Sequence, residues 1–385
     1  MDNKLKIIFF ADAGVEHTVR WVRFFANAGH EVHIISWNDF SEGSASYRLD
    51  DIKSSFYPAK LYMLGGSRPE SKFKYLLWLL SLVFTIRKLF NKIQPNLIHS
   101  HSVGAYAWIV LFLPKVKSVM TPWGTDVLID MKESAVNRFL SLRALRRSTV
   151  ITVDAKHMEQ KLVQFGVSQD KVKIIYFGTN TKEYVRIKKE RSRIRKKYDI
   201  LESDTVVIST RTLNPIHDVF LTIKSIPLVL KENNNVKFII ASDGVEKSQM
   251  EEYVSKHNLS NHVIFPGYMT MPEMVAFLSA SDIYVSSSKA DAGLAASTAE
   301  AMSIGLPVVV SNNSENSFWV SNSGLLFEDG DAKGIADGIL NLASNPQLMK
   351  EFGDNGRDRI SSDNDYKIQM NKVNDLYLSI VNKIE

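Results

Sequence analysis

The 385-residue sequence contains no cysteine. Thiol nucleophiles, disulfides and cysteine-ligated zinc or iron–sulfur centres are therefore excluded. A large excess of one charge is lacking as well, because the formal net charge is only +5. This small positive balance slightly favours an anionic ligand or a membrane surface, and it is equally consistent with solvated lysines. We expect no nucleic acid partner, no bound metal and no cofactor.

A secretory leader and a dinucleotide fingerprint are also missing. Residues 1–6 lead directly into the apolar run 7–10, without the apolar core and cleavage site of a signal peptide, so we expect a cytoplasmic protein. The loop after this run reads Ala-Asp-Ala-Gly-Val-Glu-His over residues 11–17 and does not contain GxGxxG. That loop argues against a nicotinamide-dependent dehydrogenase.

Long apolar runs are scarce, and the strongest candidate for a segment that contacts a membrane lies within residues 72–92. Its centre, residues 75–86, has only Ser81 and Thr85 as clearly polar side chains, but it is too short to span a bilayer, which needs about 20 residues. It is flanked by Lys72, Lys74, Arg87, Lys88 and Lys92. The stretch is either a buried helix of a first domain or a peripheral contact with anionic lipid at the inner face of the membrane.

What the sequence does contain is an alternation of short apolar runs with helical patterns, which predicts parallel sheets covered on both faces. The chain is longer than a usual single core, so we expect two domains. Strands are predicted at 5–10, 32–36, 97–99, 116–120, 150–153 and 172–176, and again at 206–210, 236–241, 263–265, 283–286 and 308–310. Helices are predicted at 19–29, 72–92, 104–113, 135–147 and 155–165, and then at 219–232, 247–257, 272–279, 332–343 and 366–382. The predicted fold class is α/β, with two tandem Rossmann-like, doubly wound domains.

A strongly basic stretch at residues 179–197 separates the two series of elements. We interpret it as the connection between the domains followed by an exposed helix whose charges are solvated. The predicted domain limits are 1–177 and 178–365. A last segment, 366–385, is predicted to be a helix.

The most informative segment runs from Asp291 to Met302 and on to residue 310. Gly293 marks a loop, the residues from Ala295 to Met302 are mostly good helix formers, and a β-branched strand follows. A loop that leads into a helix in this way points backbone N–H groups at whatever lies beyond it, which suits a phosphate. Glu300, further along the helix, is placed to turn a carboxylate toward sugar or ribose hydroxyls.

This segment resembles the donor-binding signature of family-four retaining glycosyltransferases, which have the GT-B fold. The resemblance implies two Rossmann-like domains with an interdomain cleft, a nucleoside diphosphate sugar as donor, and no need for a metal. It also implies that Glu300 holds the ribose hydroxyls, that the backbone of Gly293, Leu294, Ala295 and Ala296 faces the phosphates, and that the final helix packs back on the first domain. Relatives carry a Glu eight residues before Glu300, where this chain has Ala292, and we expect the neighbouring Asp291 to contact the transferred sugar.

A second group of candidates follows the first strand of the second domain, in Ser209-Thr-Arg-Thr-Leu-Asn-Pro-Ile-His217. Ligands gather at the ends of strands in open α/β sheets. Similar enzymes have an Arg and, five residues later, a Lys that both bind the diphosphate. Arg211 matches the Arg, and with one inserted residue His217 takes the place of the Lys. If His217 contacts the diphosphate, its neutral imidazole gives the phosphate a hydrogen bond but no positive charge. The alternative is that His217 has no role in binding.

The first domain supplies further candidates. His99 and His101 are alternate residues of one predicted strand and share a face, and His101 better matches a His that similar enzymes place near the reaction centre. Residues 121–126 resemble a family segment that has a His where this chain has Trp123. Asp126 ends the segment, and it either lines the cleft or only caps a helix.

The loop after the first strand supplies the remaining candidates. By resemblance, Gly14 lies under the donor phosphates, and Glu16 and His17 lie at the acceptor entrance.

We therefore expect a retaining, metal-independent hexosyltransferase. Its predicted substrates are a UDP- or GDP-linked sugar and a sugar or lipid-linked acceptor, used in the synthesis of cell-surface polysaccharide or glycolipid. Two alternatives stay open: a nucleotide-sugar epimerase of the same fold, and a protein that binds sugar nucleotides with little or no turnover. Product analysis without an acceptor distinguishes an epimerase from a glycosyltransferase. Donor binding without turnover identifies a binding protein.

Overall fold

The computed structural model describes residues 4–37, 56–64, 72–124, 126–289, 291 and 293–382. The chain divides into two compact units. The first unit is Met1–Phe177 together with Gln369–Glu385, and the second is Gly178–Ile368.

The first unit contains a parallel sheet of seven strands among its described residues, in the order β3-β2-β1-β4-β5-β6-β7. The strands are β1 (Lys6–Phe10), β2 (Glu31–Ser36), β3 (Lys60–Met63), β4 (Leu97–His101), β5 (Lys117–Thr121), β6 (Val150–Val153) and β7 (Val172–Ile174). Its helices are α1 (Glu16–Asn27), α2 (Lys72–Ile93), α3 (Ala105–Trp108), α4 (Met131–Glu133), α5 (Ala135–Arg147) and α6 (Lys156–Gln164). A 3₁₀ turn at Ile109–Phe112 follows α3, and a π turn at Asp126–Asp130 precedes α4.

The second unit contains a parallel sheet of six strands among its described residues, in the order β10-β9-β8-β11-β12-β13. The strands are β8 (Thr205–Ser209), β9 (Val236–Ile240), β10 (Val263–Ile264), β11 (Ile283–Ser286), β12 (Val308–Ser311) and β13 (Gly324–Phe327). The helices from here to the end of the chain are α7 (Lys188–Lys197), α8 (Val219–Glu232), α9 (Lys247–Lys256), α10 (Met271–Ala280), α11 (Ala296–Ile304), α12 (Asn316–Val320), α13 (Ala332–Ala343), α14 (Pro346–Asp363) and α15 (Tyr366–Asn382).

The predicted α/β class with two doubly wound sheets is confirmed. Strands buried on both faces need continuous apolar runs, and the central strands β1, β8 and β12 have them. The helices predicted at 135–147, 219–232, 332–343 and 366–382 have those bounds in the structure. Strands β3 and β13 and helices α12 and α14 were not predicted.

Five of the seven basic residues at 188–197 are exposed, as the composition predicted, but Arg191 and Arg195 are not. Arg195 is 1% exposed, and its Nη2 donates to Asp282 at 2.6 Å while its Nε and Nη1 donate to backbone carbonyls. Arg191 pairs with the same carboxylate at 3.0 Å. A buried charge is tolerated only when it is paired and hydrogen-bonded, and Asp282 provides that pairing. Two of the seven basic residues at 188–197 thus hold α7 onto the second unit.

Helix α2 has a buried and an exposed apolar face. Ile86, Leu82 and Phe90 pack into the core of the first unit. On the other side Leu80 and Phe84 are 58% and 73% exposed, and Leu77 is similar. In the part of the chain that the structure describes, no helix combines the length and apolarity that crossing a bilayer requires.

Candidate functional site

Each sheet has one point where the chain reverses its direction of strand addition. In the second unit the reversal falls between β8 and β11, and in the first unit it falls between β1 and β4. Loops that leave the carboxyl ends of two such strands diverge to opposite faces, and the crevice between them is where open α/β sheets bind ligands. Most candidate residues lie at the ends of these four strands or in the loops that follow them, and Asp126 follows the neighbouring strand β5.

Arg211 is the centre of the group in the second unit. It comes two residues after β8 and is 8% exposed. Its Nη2 donates to Asp291 Oδ1 at 2.5 Å, to His217 Nδ1 at 2.7 Å and to Ser288 Oγ at 3.1 Å. Its Nη1 donates to Ser297 Oγ at 3.2 Å. The structure therefore brings Arg211, His217 and Asp291 together, and it adds two serines to them.

The contact with Arg211 determines the state of His217. An arginine only donates, so His217 Nδ1 must accept, and the imidazole is neutral with its proton on Nε2. Burial lowers the pKa of His217 to about 4, and the positive charge of Arg211 adds to this lowering. At neutral pH His217 orients the guanidinium and adds no second positive charge to the site.

Asp291 is paired with the guanidinium of Arg211. Both side chains of this ion pair are nearly buried, with 10% and 9% of their surfaces exposed. The predicted contact between Asp291 and a transferred sugar stays a prediction, and in this arrangement the carboxylate already has a partner inside the protein. The neighbouring Ala292 lies outside the described residues.

Helix α11 begins beside Arg211. Ala295 occupies the N-cap position and has no side-chain oxygen with which to accept from the first N–H groups of the helix. These N–H groups carry the positive end of the helix dipole. Gly293 and Ala295 are buried, whereas Leu294 is partly exposed and Ala296 is exposed. Glu300 lies one turn further along α11 and is half-buried.

Sequence reasoning missed three residues of this group. Ser288 follows β11, and Ser297 lies in the first turn of α11, where it also accepts from the hydroxyl of Tyr284 at 2.9 Å. Tyr284 is fully buried in β11, and burial raises its pKa. The available signal was position alone: a serine just after a strand and another in the first turn of the helix.

In the first unit a pocket of about 220 Å³ lies at the reversal between β1 and β4. It is lined by Asp12, Val15, Thr18, His101, Ser102, Tyr106, Trp123, Asp126 and Asp130. Two predicted residues, His101 and Asp126, are therefore brought together here.

Asp126 fixes the backbone on two sides of this pocket. Its carboxylate accepts from the N–H groups of Val103 at 2.8 Å, Trp123 at 3.0 Å and Gly124 at 3.0 Å. Burial raises the pKa of the Asp126 carboxyl, and the backbone hydrogen bonds oppose that rise. Asp126 thus lines this pocket and organises the loop ahead of the π turn, and its predicted place in a cleft between the domains stays a prediction.

His99 and His101 share one face of β4, as alternate residues of a strand should, with ring centroids 4.8 Å apart. His101 lies among aromatic rings, 5.1 Å from Trp21 and 5.6 Å from Trp123. His99 is fully buried, with Nδ1 hydrogen-bonded to Tyr377 Oη and Nε2 to Thr121 Oγ1. Burial, reinforced by His101, lowers the pKa of His99 well below its usual value. His99 is therefore a structural histidine, whereas His101 faces the pocket.

The loop after β1 holds the remaining candidates. Gly14 donates its N–H to Asp12 Oδ1 at 2.8 Å and is partly exposed. Glu16 and His17 form the first turn of α1. Their side chains are outside the described part of the structure. Their predicted place at an acceptor entrance therefore stays a prediction.

Two family models match the chain. Glycosyl transferases group 1 matches residues 190–359, and Glycosyl transferase 4-like matches residues 6–155. Among curated relatives, N-acetyl-alpha-D-glucosaminyl L-malate synthase of Bacillus anthracis is 21% identical over 343 residues, which cover 87% of this chain and 85% of the relative. The capsular polysaccharide biosynthesis glycosyltransferase CapM of Staphylococcus aureus is 21% identical over 382 residues, or 94% of both chains.

The fold is also found among solved structures. Anabaena Alr3699/HepE, solved in complex with UDP, superposes with a TM-score of 0.80 over 97% of this chain and all of that one, at 16% sequence identity. At this identity the similarity shows the fold alone.

Proposed function

The chain is a glycosyltransferase of the GT-B fold that belongs to glycosyl transferases group 1, the family-four type, and from this premise we propose the reaction it performs. It transfers a hexose from a nucleoside diphosphate sugar to an acceptor hydroxyl, with retention at the anomeric carbon. The donor binds to the second unit and the acceptor to the first. The acceptor is a sugar or a lipid-linked sugar of a cell-surface polysaccharide or glycolipid.

The observation that supports this proposal most directly is the position of Arg211. A nearly buried guanidinium hydrogen-bonds Ser297, in the first turn of a helix whose N-cap residue is an alanine. A bidentate cation and the positive end of a helix at one location form a site for a diphosphate. The place of this group at the reversal between β8 and β11 agrees with that use.

In this proposal the second unit stabilises the leaving group. As the bond between sugar and diphosphate breaks, negative charge grows on the phosphate oxygens. Arg211 and the first N–H groups of α11 are already oriented, so they stabilise this charge without reorganising. His217 contributes a neutral hydrogen-bonding group where the family resemblance implies a lysine, so charge neutralisation depends chiefly on Arg211. The departing phosphate itself accepts the proton of the acceptor hydroxyl.

The other predicted residues have defined parts in the proposal. The Glu300 carboxylate accepts from the ribose hydroxyls, and the backbone of Gly293, Leu294, Ala295 and Ala296 faces the phosphates. Gly14 allows the phosphates a close approach, while Glu16 and His17 face the acceptor. In the pocket of the first unit, His101 and Asp126 border the acceptor hydroxyl.

Relatives support UDP as the carrier. HepE has been solved in complex with UDP and in complex with UDP-glucose. The name of CapM connects that relative with capsular polysaccharide. We therefore propose a UDP-linked hexose ahead of a GDP-linked one.

Thermal unfolding tests the donor site. The melting temperature is measured with UDP, GDP, ADP and NAD in EDTA, for the wild type, Glu300→Ala and the matched surface variant Glu351→Ala. A ligand at 100 times its dissociation constant adds about 2.7 kcal/mol of stability. We expect UDP to stabilise the wild type and Glu351→Ala but not Glu300→Ala. Stabilisation by NAD alone, or by no nucleotide, rejects the donor site.

Product analysis then tests the reaction. The UDP-hexose is incubated with and without a mixture of acceptors, and both nucleotide and sugar products are separated by chromatography. Transfer of the sugar to an acceptor is expected. A new UDP-sugar formed without acceptor identifies an epimerase, and UDP binding without any product identifies a binding protein.

The first unit also has features of a surface that docks on anionic lipid. The exposed stripe Leu77, Leu80 and Phe84 of α2 continues along the helix into the exposed Arg87 and Lys88. Beyond the end of α2 lies a groove of about 950 Å³ lined by Lys115, Val116, Lys117, Arg147, Ser148, Thr149 and Lys171. Apolar side chains followed by basic ones match the order of acyl chains and anionic headgroups at a membrane surface. We propose that residues 72–92 make this peripheral contact.

Vesicle co-sedimentation tests the lipid contact. Binding to vesicles of phosphatidylglycerol is compared with binding to phosphatidylcholine. Each basic residue near an anionic surface contributes about 1 kcal/mol, so Arg87→Gln with Lys88→Gln should weaken binding roughly thirtyfold. The control is Lys231→Gln with Lys256→Gln, two exposed lysines of the second unit. Equal binding by both double variants rejects the contact.

A further inference from the structure

The pocket at the reversal between β1 and β4 has an unusual charge for this chain. Three carboxylates line it, from Asp12, Asp126 and Asp130, and its described lining residues include no lysine or arginine. The chain as a whole has a net charge of +5. The groove at Lys115 and Lys171, at the opposite ends of the neighbouring strands, has the reverse composition. The negative charge is therefore local to this pocket.

The three carboxylates differ in how firmly they are held. Asp126 is 6% exposed and fixed by the N–H groups of three residues, so it cannot swing away from an incoming ligand. Asp12 is half-buried and tied by the N–H of Gly14. Asp130 is exposed at the end of the π turn. An anion entering the pocket would meet one fixed carboxylate and two nearer the rim.

The rest of the lining suits a sugar. The partly exposed Trp123 offers a flat apolar surface, and the hydroxyl group of Ser102 adds a polar atom. Carboxylates accept hydrogen bonds from sugar hydroxyls. They repel phosphate and carboxylate groups, and this repulsion is stronger in a partly enclosed pocket than in water.

We propose that this pocket selects an uncharged sugar terminus as the acceptor and discriminates against acceptors that carry a phosphate or carboxylate beside the reacting hydroxyl. The inference rests on the proposed function, since it identifies the acceptor class for that reaction. Negative groups elsewhere on a long acceptor chain are compatible with it, because only the terminal residue fits a cavity of about 220 Å³.

Ligand binding tests the selection directly, without turnover. Saturation-transfer NMR on the full chain with UDP present compares methyl glucoside with methyl glucuronide, two sugars that differ by one carboxylate. Glucose 6-phosphate and the dicarboxylate L-malate serve as further anions. We expect methyl glucoside to bind at least tenfold more tightly than each anion. Equal or tighter binding of an anion overturns the proposal, and so does failure of all four to bind.

Charge variants show whether the carboxylates cause the selection. Asp130→Asn removes an exposed charge without disturbing the core, and it should reduce the preference for glucoside over glucuronide severalfold. Asp130→Lys should reduce it further. Asp170→Asn, an exposed aspartate of the same unit outside the pocket, should leave the preference unchanged. Raising the salt concentration from 0.05 to 0.5 M should also reduce it, because salt screens charge repulsion. A preference that none of these changes affects overturns the proposal.

The outcomes separate this inference from the proposed function. The UDP-dependent thermal shift reports on the proposed donor site of the second unit, whereas sugar binding reports on the pocket of the first unit. If UDP stabilises the protein and glucuronide binds as well as glucoside, only the acceptor inference fails. If UDP has no effect while the sugars are still discriminated, the donor site fails and the selective pocket is retained.

Discussion

Arg211 and Asp291 form an ion pair at the point where the second sheet reverses, with the guanidinium donating to the carboxylate at 2.5 Å. In the proposed donor site, this carboxylate occupies the place at which Arg211 would hold a phosphate oxygen. A bound diphosphate must therefore share the guanidinium with Asp291 or displace it. If the proposed donor site is correct, Asp291 affects donor affinity whether or not it contacts the transferred sugar.

Substitution of Asp291 should have opposite effects on stability and donor binding. Breaking a nearly buried ion pair by removing one partner costs about 3–5 kcal/mol, so Asp291→Asn should lower the unfolding free energy of the ligand-free protein, by less than this because the amide still accepts a hydrogen bond. The same change leaves Arg211 free of its competing anion and should enlarge the UDP-induced shift in melting temperature. Asp337→Asn, an exposed aspartate of the same unit, is the control. A smaller UDP shift in Asp291→Asn would contradict this account.

Arg211 should not be replaceable by lysine. The guanidinium reaches four side chains at once, two of them through hydroxyl oxygens, and a lysine ammonium has neither the planar fork nor the spread of donors. Arg211→Lys should weaken UDP binding at least tenfold in isothermal calorimetry. Arg193→Lys, at an exposed arginine, should bind as the wild type does. Unchanged affinity in Arg211→Lys would place the diphosphate elsewhere.

Much of this fold follows from local sequence. Helix α13 was predicted to the residue because its apolar spacing is regular. Helix α5 was also predicted to the residue, and a capping side chain precedes each helix, Ser134 before α5 and Asp331 before α13. Strand β3 was missed because it lies at the sheet edge, where one side of the strand needs no partner and the apolar pattern is weak. Helix α14 was missed although Asn345 caps it and Pro346 begins it, because its composition is largely polar.

The sequence predicted which residues belong to the candidate site from their positions relative to strands and helices, but not how their side chains pair. A strand end fixes the place of Arg211, and a loop-to-helix junction fixes that of Glu300. The pairing of Arg211 with Asp291 joins residues 80 apart in sequence and depends on the course of the loop after β11. The burial of Arg195 was hidden for a similar reason, since its partner Asp282 belongs to a distant segment. Local pattern identifies the residues, whereas their partners require the tertiary fold.

Acid should destabilise the protein through His217. Its pKa is lowered from 6.5 to about 4 in the folded state, so between these values the unfolded chain binds more protons than the folded one. Stability is therefore retained above pH 6.5 and lost as the pH falls toward 4. The slope from one such group is at most about 1.4 kcal/mol per pH unit, and less here because the ring is only half-buried. Urea unfolding between pH 4.5 and 7.5 should show a shallower slope for His217→Asn than for the wild type, and equal slopes would refute the assignment.

His217→Lys should raise the affinity for UDP and lower the stability of the ligand-free protein. His217→Lys introduces the residue type that the family resemblance implies at this position and, in the proposed site, adds a charge-assisted hydrogen bond to the diphosphate, which contributes about 1.5–3 kcal/mol. UDP should bind about tenfold more tightly in calorimetry. The new ammonium also lies beside Arg211, so the ligand-free protein should melt at a lower temperature. His217→Gln, which stays neutral, should show neither effect, and weaker UDP binding in His217→Lys would indicate that this side chain does not face the phosphates.

Tyr377 should stabilise the first unit through His99. The Tyr377 hydroxyl is hydrogen-bonded to His99 Nδ1, both residues are fully buried, and the other ring nitrogen is held by Thr121. Tyr377→Phe keeps the ring but leaves a buried imidazole nitrogen without its partner, which costs about 1–3 kcal/mol. Urea unfolding should show this loss, whereas Tyr268→Phe, at a tyrosine 68% exposed, should unfold as the wild type does. UDP binding should be unchanged in both variants, since His99 has a structural role in the first unit. A Tyr377→Phe protein of wild-type stability would show that this hydrogen bond does not contribute to holding α15 on the first unit.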